Sequence, residues 1–103
     1  MREEGTLGII VNSDRYFGFV SKLADAATGK GKPVRIHLLG PGRKFIKTDA
    51  FARLSRLTRI SLCTLSANDM ATHDMDKFGN SVSLVPPQAL TKILQDCSRY
   101  VVF

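Results

Sequence analysis

Two cysteines, Cys63 and Cys97, are all the thiols in the chain, and they do not form a C-x-x-C pair. That is too few for a disulfide scaffold or a cysteine-rich zinc site, and it removes the dithiol oxidoreductases. No apolar run approaches the roughly 20 residues that span a bilayer. The opening Met1-Arg-Glu-Glu-Gly-Thr-Leu7 enters a strand-like run without the small-residue cleavage site of a secretory leader, so a cytoplasmic protein is expected. Neither G-x-x-x-x-G-K-[ST] nor G-x-G-x-x-G occurs, so the usual nucleotide loops are absent. The phosphatase loop that needs Arg six residues after its thiol is missing too, because Asp69 stands there. Aromatics are not interleaved with basic residues as stacking platforms require, so direct nucleic-acid binding is not expected.

What is present describes one compact unit. A chain of 103 residues has room for a single core, so one domain over 1–103 is expected. Its 44 % hydrophobic content excludes a disordered protein. Fifteen Lys and Arg against nine Asp and Glu leave a net charge of +6, dense only from Arg43 to Arg59. That stretch reads either as a solvated basic surface or as a face for an acidic partner.

Hydrophobic periodicity sets the element order. Thr6-Leu-Gly-Ile-Ile-Val-Asn12 is a continuous β-branched run of the kind buried on both faces of a sheet. Asn12-Ser13-Asp14 carries N-cap chemistry for a helix whose inner stripe is Tyr16, Phe19, Val20, Leu23, Ala24 and Ala27, ended by Gly29 and Gly31. Pro33–Leu39 is a second strand. Gly40-Pro41-Gly42 is a turn that opens a basic loop through Lys47. Thr48 or Asp49 caps a second helix with Phe51, Leu54 and Leu57 inside. Arg59–Leu65 is a third strand, and Ser66-Ala-Asn-Asp69 has capping-box form for a short helix or turn to Phe78. Ser81–Val85 is a minor or edge strand. Pro86-Pro87 starts a helix with Ala89, Leu90, Ile93, Leu94 and Cys97 as its stripe, and Arg99–Phe103 is the last strand. Strands alternating with helices predict an α/β fold: a parallel sheet with helices on both faces.

Ligands of such sheets sit beyond the carboxyl ends of the strands. Asn12 and Ser13, then Arg43 and Lys44, then Cys63 with the helix start at Ser66, all arrive at that rim. Cations and a helix start raise the thiolate fraction of a cysteine, whereas a cysteine inside a strand is commonly a small inert hydrophobe. Both readings of Cys63 stand at this point. Cys97 falls at the amino edge of the sheet. A five-residue strand covers roughly 17 Å, and a disulfide tolerates at most about 7 Å between Cα atoms, so the two thiols should not pair and Cys97 packs in the core. His37 lies mid-strand on the same face as Arg35 and reads as a packed or interface residue. His73 is either an ion-pair partner for the Cys63 thiolate or an idle loop residue. His73, Asp74 and Asp76 converge poorly on a metal, so neither a metal nor a cofactor is expected.

In blocks over nearly its whole length the chain resembles the DsrE/DsrF-like family of small sulfur-relay proteins. The blocks are Leu7-Gly-Ile-Ile-Val-Asn-Ser-Asp14, Ala26-Ala-Thr-Gly-Lys-Gly-Lys-Pro-Val34, Ile36-His-Leu-Leu-Gly40, Leu54 to Ser66 with Ile60-Ser-Leu-Cys63, and Asp96-Cys-Ser-Arg-Tyr-Val-Val-Phe103. The resemblance implies a three-layer α/β/α sandwich around a five-stranded parallel sheet. It implies homo-oligomers such as trimers or hexamers, or hetero-oligomers with related subunits. It also implies that Cys63 accepts sulfur as a persulfide from a donor protein and hands it to an acceptor protein. The Arg-Gly that follows the thiol in relay subunits has no counterpart between Thr64 and Phe78.

A carrier of this kind needs one accessible thiolate and no resolving neighbour. Arg43 and Lys44 would then stabilise the thiolate or persulfide anion. The rival is a non-catalytic module in which Asn12, Ser13, Arg43 and Lys44 hold a small anion or a nucleotide, or a structural subunit of a hetero-complex, with an inert Cys63 in both.

Overall fold

Five strands, β1 (Leu7–Val11), β2 (Val34–Leu38), β3 (Arg59–Cys63), β4 (Val82–Val85) and β5 (Arg99–Val102), run parallel in the order β4-β3-β2-β1-β5. The computed structural model describes residues 5–63 and 82–103. Among the described residues three α-helices, α1 (Phe17–Gly29), α2 (Asp49–Leu57) and α3 (Ala89–Asp96), accompany the sheet. The fold is thus the α/β class expected from the alternating pattern, with helices on both sheet faces. The capping-box segment at Ser66, the helix or turn to Phe78, and His73 lie outside the described residues.

Side-chain alternation along each strand divides the residues between two unequal faces. Ile9, Val11, Val34, Ile36, Leu38, Ile60, Leu62 and Val82 point to the face covered by α1 and α2 and join one buried cluster with Val20, Ala24, Phe45, Phe51 and Leu54. Phe45 is the hub, with ring centroids 5.2 Å from Phe17 and 6.2 Å from Phe51, both edge-on. On the other face Ile10 packs with Ile93 and Cys97 beneath α3. Asp96 at the end of α3 anchors that helix to the sheet through Arg35, 3.4 Å away.

Four local expectations are corrected. The helix after β1 starts at Phe17 with Tyr16 as an N-cap that makes no side-chain capping bond, so Asn12-Ser13-Asp14 does not cap it. The reason is that Asn12 still belongs to the sheet edge, its N–H donating to the Phe103 carbonyl at 2.7 Å, and the turn takes further residues. The late start changes only the first turn of the stripe: Val20, Leu23, Ala24 and Ala27 face inward as expected and Phe17 joins them, while Tyr16 and Phe19 are exposed. In α2, Thr48 is the cap, accepting from the Phe51 N–H at 3.3 Å, but Leu57 is exposed and Ser55 takes its place inside. The Gly40–Lys47 stretch is a 3-10 helix, where a turn and open loop had been expected. Pro41 sits near its start, and Gly42 packs so closely on the Val11 carbonyl that any Cβ would overlap it.

Candidate functional site

The carboxyl ends of β1 and β2 bring four of the expected residues into one neighbourhood. Gly40, at φ +54°, lets the chain turn beside Asn12, whose Oδ1 would lie 2.8 Å from an added Cβ there. The 3-10 helix that follows carries Arg43, whose Nε donates to the Gly40 carbonyl at 2.9 Å, and Lys44, whose Nζ reaches Asp14 at 3.3 Å. Ser13 Oγ is closed off from solvent and has no hydrogen-bond partner among the described residues. A depression of about 520 Å³ opens at this end, bordered by Asn12, Ser13, Arg15, Tyr16, Val102 and Phe103. Lys44 is therefore bridged to a carboxylate, so the rim is less cationic than a count of its basic residues suggests.

Cys63 closes β3 on the α3 side of the sheet. Parallel register aligns His37 with Ser61, so Cys63 follows one row further toward the carboxyl end on the same face. It is 6 % exposed and makes no side-chain hydrogen bond or ion pair with Arg43, Lys44, Asn12 or Ser13. The open cationic rim around the thiol that the sequence suggested is thus corrected: the thiol is nearly buried, and the cations are engaged elsewhere. Ser66 and His73, the remaining candidates, fall outside the described residues.

The second thiol lies at the opposite end. Cys97 follows α3, 2 % exposed, with its Sγ so close to Gly8 that a Cβ there would come within 2.9 Å. Gly8, Arg35 and Arg59 share one register row, two strand spacings across, and Cys63 stands four residues beyond Arg59. That places the Gly8 end and Cys63 roughly 16 Å apart. A disulfide spans at most about 7 Å between Cα atoms, and the two cysteines form no disulfide with each other.

Sequence reasoning treated His37 as packing and did not foresee its partner. His37 is 1 % exposed, and its Nδ1 lies 2.7 Å from Ser61 Oγ in a hydrogen bond whose direction follows the ring tautomer. Burial pushes its pKa below the usual histidine value, and the Arg35 charge beside it adds to that. The signal available was the register: a strand reading Arg-Ile-His next to one reading Arg-Ile-Ser, both alternating, pairs the histidine with the serine once the two run parallel.

Among the described residues no group of three His, Cys, Asp or Glu could hold a metal ion, and no helix is long and apolar enough to cross a membrane. The chain matches no protein-family model, and no curated protein matches it.

Proposed function

We propose that this protein is a sulfur-relay carrier of the DsrE-like kind, with Cys63 as the persulfide acceptor. The observation that carries the reading is the isolation of Cys63: it ends a parallel strand at the ligand-bearing edge of the sheet, with the second thiol packed at the far end. In the transfer, the Cys63 thiolate attacks the outer sulfur of a donor protein's persulfide. The new S–S bond forms at Cys63 as the donor's S–S bond breaks, and the donor leaves as a thiolate. No oxidant is needed, because the transferred sulfur keeps its oxidation level. A resolving thiol nearby would discharge the product as a disulfide, and Cys97 is too remote for that.

The small exposure of Cys63 adds a condition. Loading requires a local opening at the carboxyl end of β3, of the low-cost kind that precedes global unfolding. The same reading makes the protein a cytoplasmic homo-oligomer, or a partner in a hetero-oligomer, that meets donor and acceptor proteins in turn.

The test is intact-mass measurement after exposure to cysteine and a cysteine desulfurase, on the wild type, Cys63→Ser and Cys97→Ser. The expected result is a gain of one sulfur atom in the wild type and Cys97→Ser, none in Cys63→Ser, and its loss on reduction. Loading that persists in Cys63→Ser removes the proposal.

A further inference from the structure

The strand order changes direction at β1. The chain steps from β1 through β2 and β3 to β4 at one edge, then returns to place β5 on the other side of β1. In open parallel sheets the crevice beyond the carboxyl ends at such a reversal is where ligands bind. The 520 Å³ depression lies there, and none of its lining residues is Cys63.

Its apolar lining comes from Tyr16, Pro41, Val102 and Phe103. Tyr16 and Val102 are exposed, and the Tyr16 ring lies 6.2 Å from the partly buried Phe103, tilted against it. The exposed Tyr16 ring offers a face on which a planar group stacks. The polar lining comes from Asn12, Ser13, Asp14 and Arg15, with the Ser13 Oγ itself closed off from solvent. Asn12 and Ser13, residues of helix-capping type, cap nothing. Asp14 is bridged to Lys44, whereas Arg15, on the same lining, makes no ion pair with any described residue. The surplus charge at the mouth is positive, and a guanidinium is the donor best shaped for a phosphate or carboxylate.

We infer that this crevice binds a planar aromatic anion of the nucleoside monophosphate or aryl phosphate class. The ring stacks on the exposed face of Tyr16 beside Phe103, and the anionic group meets Arg15. The site is separate from the sulfur chemistry proposed for Cys63 and does not depend on it.

The experiment is a titration of the full chain with AMP, followed by backbone amide resonances, with adenosine and inorganic phosphate titrated separately. The expected result is saturable movement of the amides from Asn12 to Tyr16 and at Val102 and Phe103. Adenosine and phosphate bind about tenfold more weakly or worse, since each keeps only one of the two contacts. Arg15→Ala and Tyr16→Ala, both changes at exposed positions, each weaken AMP by about tenfold, and Cys63→Ser leaves it unchanged. The inference is overturned by no saturable change at millimolar AMP, by phosphate binding as tightly as AMP, or by folded Arg15→Ala and Tyr16→Ala proteins that bind like the wild type.

Discussion

The two faces of the sheet are built to different standards. The face under α1, the 3-10 helix and α2 buries fifteen described residues in one cluster centred on Phe45 and Phe51. The face under α3 holds a cluster of three described residues, Ile10, Ile93 and Cys97, with His37, Ser61 and Cys63 also buried on it and Arg35 partly exposed. Hydrophobic burial scales with apolar area, so the first face supplies most of the stability. The second carries the side chains with chemistry. For Cys63 as the proposed acceptor, a place on the weaker face lets a local opening at the end of β3 reach it without dismantling the main core.

The contrast is broken or sharpened first by paired truncations. Phe51→Ala removes a fully buried ring from the thick face and should cost about 3–5 kcal/mol. Ile93→Ala, under the single helix of the thin face, should cost about 2 kcal/mol, at the low end for its type because its surroundings can close over the gap. Urea unfolding measures both. Equal costs would mean that the thin face is as tightly consolidated as the thick one.

A smaller effect separates the faces by pH. His37 has a folded-state pKa below its unfolded value, chiefly through burial and then through Arg35. A base that protonates less readily when folded lets the unfolded chain bind more protons, so stability rises with pH through that window. Stability should be at its full value above about pH 6.5, fall as the pH drops below it, and level off below the folded pKa. In His37→Asn, which keeps a donor or acceptor for Ser61, this fall should flatten in urea titrations at neutral and mildly acidic pH. A slope unchanged by the substitution would assign the acid sensitivity to other groups.

The difference between the faces also explains what could be read from the sequence. The strands and their parallel class were legible because β1 is apolar on both sides and β2 and β3 alternate cleanly. Thr48 announced α2 by ordinary capping chemistry. The start of α1 and the first turn of its stripe were misplaced because Asn12-Ser13-Asp14 looks like a cap, and only the pairing of Asn12 with Phe103, some ninety residues away in sequence, shows that the sheet continues past it. Gly40–Lys47 reads as a loop by its glycines and charges. Its 3-10 form depends on Gly42 meeting the Val11 carbonyl, a tertiary contact with no local signature. At the site, the position of Cys63 at a strand's carboxyl end was readable from order alone. Its burial and the engagement of Lys44 by Asp14 were not, since both depend on distances between segments remote in sequence.

The most direct measurement is the rate at which a small alkylating reagent labels each thiol in the folded protein, resolved by peptide mass. Cys63 and Cys97 are both nearly buried, so exposure alone hardly separates them. The account predicts that Cys63 is labelled well before Cys97 and faster than the protein unfolds globally. Labelling of both at the rate of global unfolding, or of Cys97 first, would contradict it and make Cys63 a structural residue.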